Sequence, residues 1–201
     1  INAKKQILYT SSIPYSIGLE ICEDWIYCFK KLIQEVPKDL KEKLVSCSVA
    51  GTSGTLLACR NNGIPIGKAL PYFLSCSEYK NEIHNLFLKE CAGSSLSGSV
   101  GRALRLLAVY GDEIILRHQA DWLSGWLLNN WEYGEEGNNI RMGWEVVNNS
   151  WPKKFKNLRW LKCLPKIIPS GQLMGTICNK KADELNLPKN LKVIAGTTDS
   201  N

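Results

Sequence analysis

The stretch Val193-Ile194-Ala195-Gly196-Thr197-Thr198-Asp199-Ser200-Asn201 decides how the chain is read. Val193, Ile194 and Ala195 are apolar and partly β-branched, which suits a short strand. Gly196 then lets the backbone turn, and Thr197 and Thr198 set two hydroxyls beside the acid Asp199. An acid on a Gly/Thr turn at a strand end is well placed to face a cleft, because the strand holds its terminal loop rigidly. The same residues also suit an acidic turn that caps a following helix. Only two residues follow Asp199, so the element it leads into is expected beyond Asn201.

A second Gly/Thr turn lies far upstream. Residues 44–50 form a continuous small or apolar run, as in a strand buried on both faces. Gly51-Thr52-Ser53-Gly54-Thr55 interrupts it, and a strand resumes over residues 56–59. The interruption packs three hydroxyls between and beside two glycines. Such a loop suits a phosphate or a polyol, because its amides and hydroxyls are free to point at a ligand; it equally suits a tight polar turn. A nucleophile elbow is excluded, since Gly would be needed at position 55 and Thr55 stands there. The two strands are expected to be neighbours in one sheet. The helix over residues 20–36 should cover them through Trp25, Phe29 and Leu32, and Pro37 ends it.

Elsewhere, residues 7–15 alternate weakly and predict a strand. Asn61-Asn62-Gly63 predicts a hairpin-type turn, with Pro65 and Pro71 marking irregular or edge positions after it. Helices are predicted over residues 78–90 (using Ile83, Leu86, Phe87 and Leu88), 100–110, 118–129 with Trp122, Leu123, Trp126 and Leu127 inward, and 182–187. Early strands, a helical middle and a late return to a strand give an α/β or α+β class.

Composition narrows the function. A 44% apolar content with seven Trp in 201 residues supplies a real core. The net charge of +6, 25 basic against 19 acidic residues, favours anionic ligands without requiring them. No apolar run reaches 18 residues, so no membrane-spanning helix is predicted. The eight cysteines form no Cys-x-x-Cys pair, and His84 and His118 lie far apart, so no metal site is predicted. Most of the cysteines read as core side chains in a reducing, cytoplasmic setting, in which Asn148-Asn149-Ser150 is a chance sequon. Both histidines read as structural, each without a nearby partner.

Two further stretches were weighed. Gly93 to Ser99 has glycines five apart, as in a phosphate loop, but Ser99 replaces the required lysine, so it reads as a polar helix start. Residues 151–164 interleave Lys153, Lys154, Lys156, Arg159 and Lys162 with aromatics. Nucleic-acid binding is one reading. A helix with a solvated basic face over buried Phe155, Leu158 and Leu161 is the simpler one.

Taken together, four stretches carry a resemblance over nearly all 201 residues: Val49-Ala50-Gly51-Thr52-Ser53-Gly54-Thr55-Leu56-Leu57; His118-Gln119-Ala120-Asp121-Trp122-Leu123; Asn138-Asn139 followed by Gly143-Trp144; and Ala195-Gly196-Thr197-Thr198-Asp199-Ser200. In this order the chain resembles the FGGY family of carbohydrate kinases, most closely its cyanobacterial and plastid D-ribulose/xylulose-kinase-like branch. The resemblance implies an actin-like, ribonuclease-H-like α/β fold, a mixed sheet with helices on both sides. It implies that residues 1–201 are the sugar-binding N-terminal domain without its first hairpin, the nucleotide-binding domain lying outside the chain. The implied reaction moves the γ-phosphoryl group of ATP, with Mg2+, to a sugar hydroxyl. Gly51, Thr52 and Ser53 would then hold the sugar together with Asp199, Asp199 would be the catalytic base, and Thr197 and Thr198 would contact the cofactor. The implied partner is a small-molecule sugar, with no nucleic acid and no membrane. A sugar-binding or interaction module without catalysis is the reading from a different class.

Overall fold

The computed structural model describes residues 1–87 and 90–199. Its first half runs α1 (Cys22–Glu35), α2 (Lys38–Lys41), β1 (Ser46–Ser48), β2 (Leu56–Cys59), α3 (Lys80–Leu86), α4 (Ser99–Tyr110), β3 (Ile115–His118) and α5 (Gln119–Leu128). Then come β4 (Tyr133–Glu135), α6 (Glu136–Ile140), β5 (Lys166–Ile168), β6 (Leu173–Thr176), α7 (Asn179–Leu185) and β7 (Lys192–Ile194). None of the described helices is long and apolar enough to cross a membrane.

The chain is mixed α/β. β1, β7 and β6 form one sheet in that order, β1 parallel and β6 antiparallel to β7. β2 and β3 form an antiparallel ribbon with Leu57 opposite Arg117 and Ala58 opposite Leu116. Side chains alternate across a strand. Leu56, Ala58 and Leu116 therefore join one core cluster with Val100, Ala103 and Leu106 of α4. Leu57 and Cys59 join the other, with Trp25 of α1 and Trp122, Leu123, Trp126 and Leu127 of α5. Helices thus cover both faces of this ribbon, which is why all four residues of β2 are buried. β4 and β5 make a short parallel pair.

α1 stops where expected. Pro37 disfavours a helical residue before it, and Val36 is extended, with ψ 127°. At the other end no side chain caps the helix. Instead the Asp24 carboxylate accepts from Ile17 N at 2.8 Å, Ser16 Oγ at 2.8 Å and Gly18 N at 3.3 Å, tying the incoming chain to the first turn. These donors, Ile17 N–H foremost, hold the Asp24 carboxyl below the usual carboxylate range.

Several expectations are corrected. Residues 44–50 contain β1, but it pairs with β7 and not with β2, 146 residues of sequence separation mattering less than which edges are free. β1 is an edge strand and is not buried on both faces: Val45 is 71% exposed while Val49 is buried. Residues 7–15 form no strand, because no described segment lies alongside to complete a ladder. The basic segment is two 3₁₀ turns, Lys153–Asn157 and Arg159–Cys163, each set off by an extended residue, with Phe155 fully buried and Leu158 and Leu161 half-buried. The helix expected over 78–90 is a 3₁₀ turn, Ser77–Tyr79, leading into α3, which buries Ile83. Leu88 lies outside the described residues. Strands β3, β4, β5 and β6 had no counterpart in the sequence reading.

Candidate active site

β1 and β7 run parallel, so the loops that leave them emerge at the same end of the sheet. Pairing continues past both strands as a single parallel bridge between Gly51 and Thr198, and Asp199 N donates to Gly51 O at 3.0 Å. The approach is close enough to demand glycine at 196, where a Cβ would lie 2.1 Å from Val49 O. It brings Ser53 and Asp199 together: Ser53 N donates to Asp199 Oδ1 at 3.1 Å. The two turns singled out in the sequence, far apart along the chain, therefore form one site. Gly51 and Thr198 are buried in it, Thr52, Ser53 and Thr197 are half-buried, and Asp199 is exposed to solvent.

The loop at 51–55 is held from beneath by α5. Gln119 Oε1 accepts from Thr52 N at 3.1 Å and from Thr52 Oγ1 at 3.0 Å. Thr52 and Thr55 share a hydroxyl hydrogen bond of 2.6 Å, and Tyr72 N donates to Thr55 Oγ1 at 3.1 Å. Gln119 N donates to Thr55 O at 3.1 Å, closing the loop onto the start of the helix. The Gln119 amide then reaches Tyr15 Oη at 3.2 Å, whose phenol is pushed up by burial. Thr52 and Thr55 thus build the loop, and Ser53 is left at its rim.

Two arginines flank it, neither identified in the sequence. Arg102 is fully buried and donates to four carbonyls: Gly54 at 2.8 Å, Tyr72 at 3.2 Å, Leu74 at 2.7 Å and Ser97 at 3.0 Å. Burial pushes its guanidinium down to about 10. Gly54, at φ +95°, leaves room for it, since a Cβ there would lie 2.7 Å from Arg102 Nη2. Arg141 Nε donates to Ser53 Oγ at 3.3 Å. Its backbone is fixed at the end of α6, whose first turn is capped by Glu135 accepting from Gly137 N and Asn138 N, and its carbonyl accepts from Ser99 N at 3.0 Å. The signal for Arg102 was available: a charged residue on the apolar stripe of Val100, Ala103 and Leu106. Arg141 carried none.

His118 is not without partners. Ser99 Oγ and His118 Nε2 lie 2.8 Å apart, and His118 Nδ1 is 3.6 Å from Asp121 Oδ2. Asp121 in turn accepts from Glu135 N at 2.9 Å and Asn139 Nδ2 at 3.1 Å. Ser99, His118, Asp121 and Asn139 are at most 1% exposed, so no substrate reaches them. They join β3, α4, α5 and α6 beneath the loop. The basic residues near 159–166 pair with acids: Arg159 and Lys162 with Asp112, Lys162 also with Glu113, and Lys166 with Glu132.

A carboxylate beside a hydroxyl and a guanidinium, all on one rim, can hold a polyhydroxylated ligand and accept a proton from it. No family model matches the sequence. The fold is nevertheless recognisable among solved structures. The xylulose kinase from Rhodospirillum rubrum matches with a TM-score of 0.77 at 14% identity, over 95% of this chain and 43% of that one. The Plasmodium falciparum glycerol kinase with ADP matches at 0.73 and 16%, over 89% and 40%. The gluconate kinase from Lactobacillus acidophilus matches at 0.72 and 12%, over 89% and 39%. The chain therefore has the actin-like, ribonuclease-H-like α/β fold of these kinases. It spans about two fifths of their length.

Proposed function

We propose that residues 1–201 are the sugar-binding side of an ATP-dependent carbohydrate kinase of the FGGY type, acting on a ketopentose such as D-ribulose or D-xylulose, or on a related polyol. The observation that carries this reading is the meeting of the two turns, with Ser53 N on Asp199 Oδ1 at 3.1 Å. In this reading Gly51, Thr52 and Ser53 hold the sugar. Asp199 takes the proton of the attacking hydroxyl, whose oxygen bonds the γ-phosphorus as the bond to the β-phosphate oxygen breaks. Thr197 and Thr198, on the Asp199 turn, are read as the chain's contacts to the nucleotide. The nucleotide-binding domain and the opening hairpin belong to sequence outside these residues, and residues 1–201 alone do not turn over.

The residues present fit such a cofactor in a limited way. Mg2+ with ATP needs one or two carboxylates besides the phosphates. Among the described residues no three His, Cys, Asp or Glu side chains gather as a metal site, and the elements that bind Mg-ATP are read as lying mostly outside residues 1–201. When bound, Mg-ATP supplies the transferable phosphoryl group.

The test is a pair of variants in the full-length gene product, assayed with D-ribulose and D-xylulose. Asp199→Asn keeps the shape and cannot take the proton, so kcat should fall by roughly 10²–10⁴ with KM little changed. Ser53→Ala should weaken sugar binding by about 1–2 kcal/mol and leave kcat near normal. Near-normal kcat in Asp199→Asn overturns the assignment of the base, and with unchanged sugar binding in both variants the site is elsewhere. Sugar binding without any turnover in the wild-type product favours the non-catalytic module.

A further inference from the structure

Gln119 joins the sugar loop to the segment that precedes α1. Its Oε1 accepts from Thr52 N at 3.1 Å and from Thr52 Oγ1 at 3.0 Å, and its Nε2 donates to Tyr15 Oη at 3.2 Å. The donors fix the direction of every bond. Thr52 N–H can only donate, so the carbonyl end of the amide must face it and the NH2 end must face Tyr15. Thr52 Oγ1 spends its proton on Gln119, and Thr55 Oγ1 accepts from Tyr72 N at 3.1 Å. In the 2.6 Å contact between Thr52 and Thr55 the proton therefore comes from Thr55. Four hydrogen bonds thus run one way, from Tyr72 N through Thr55, Thr52 and Gln119 to the Tyr15 phenol, and bonds in such a series strengthen one another. Gln119 is 3% exposed, so water does not readily replace a lost partner. Tyr15 is itself anchored, because Ser16 Oγ, Ile17 N and Gly18 N, which follow it directly, all donate to the Asp24 carboxylate of α1.

Resting on the sugar-site reading above, we infer that Tyr15 is a positioning residue for that site: by accepting from Gln119 it fixes the amide that holds Thr52, and with it the loop that carries Ser53. Tyr15 acts through Gln119 and not on the reacting atoms, so its loss is felt in sugar affinity before it is felt in turnover. It is 43% exposed and belongs to neither core cluster, so removing its hydroxyl leaves the packing intact.

The experiment measures sugar dissociation constants by calorimetry, and KM and kcat at saturating ATP, for the full-length gene product with D-ribulose, D-xylulose and ribitol. Tyr15→Phe should weaken the preferred sugar by roughly three- to ten-fold, with kcat changed less than about two-fold and the melting temperature unmoved. Gln119→Met should weaken the sugar at least as much, and adding Tyr15→Phe to it should weaken the sugar no further, since both changes break the same series. Tyr9→Phe, on the same segment and 38% exposed, should have no effect. Unchanged sugar affinity in Tyr15→Phe, a fall in kcat in place of the loss of affinity, additive effects in the double variant, or an equal loss in Tyr9→Phe each overturns the inference while wild-type sugar binding keeps the site. Tyr15→Phe set against Tyr9→Phe carries the decision even if Gln119→Met fails to fold. If the wild type binds none of the three sugars, the sugar-site reading falls and the inference with it.

Discussion

The loop at residues 51–55 and the segment at residues 7–15 both lack regular secondary structure, and they differ in what reaches them. The loop receives Gln119 from α5, Arg102 from α4, Tyr72 N from the following turn and the Asp199 carboxylate from the end of β7. The segment receives little: Ser11 on Glu35, Cys28 Sγ on Pro14 O at 3.6 Å and Gln119 on Tyr15. Ile7 and Leu8 stay 71% and 53% exposed. An irregular backbone is ordered by partners that satisfy its N–H and C=O groups, and those partners come from distant sequence. The alternation that suggested a strand at 7–15 is local, and a ladder needs a second strand.

The comparison is broken hardest at Arg102. Arg102→Met removes the donor of four carbonyls, on Gly54, Tyr72, Leu74 and Ser97, within packed surroundings. Urea unfolding should show a loss of about 3–5 kcal/mol, since each buried acceptor left alone costs roughly 1–3 kcal/mol and some regain water. Arg102→Lys should recover only a small part, because one ammonium cannot fork to four acceptors. A loss below about 1 kcal/mol would mean that local turn chemistry orders the loop.

A milder test concerns the tie between residues 16–18 and α1. The Asp24 carboxyl is depressed in the folded chain, so its stabilising contribution is fully present above its unfolded pKa of about 4 and is lost as pH falls through the lower folded value. Asp24→Asn should therefore be less stable than wild type at neutral pH, and the two should converge as the solution is taken below pH 4. Acid unfolding followed by circular dichroism reads this directly. A gap that persists unchanged at pH 2 would show that the carboxylate charge is not responsible.

The smallest effect is expected where the chain is least held. Ile7→Asn and Leu8→Asn exchange exposed apolar side chains for polar ones and touch no core cluster. Their unfolding free energies should stay within about 0.5 kcal/mol of wild type. A loss above about 1.5 kcal/mol would mean that residues 7–15 pack against the body of the chain.

The sequence by itself determined the pieces whose pattern is local. The stripe of Trp25, Phe29 and Leu32 gave α1, the run of Trp122, Leu123, Trp126 and Leu127 gave α5, and the all-apolar 56–59 gave β2 with its own bounds. The two Gly/Thr turns were legible for the same reason, since Gly and short hydroxyl side chains mark backbone that must bend and bond. Only the tertiary structure decided which strands are neighbours. β1 met β7 and not β2, because a strand's partner is set by the packing of helices on its faces and not by the strand's own composition. That choice put Asp199 beside Ser53. Arg102, Gln119 and Arg141 joined the loop in the same step, from 48 to 88 residues away; Arg102 stood out as a charge on an apolar stripe, but nothing in the local pattern names the loop as the partner of any of the three. Hydrogen-bond partners at such separations follow from three-dimensional packing, and no local rule encodes them.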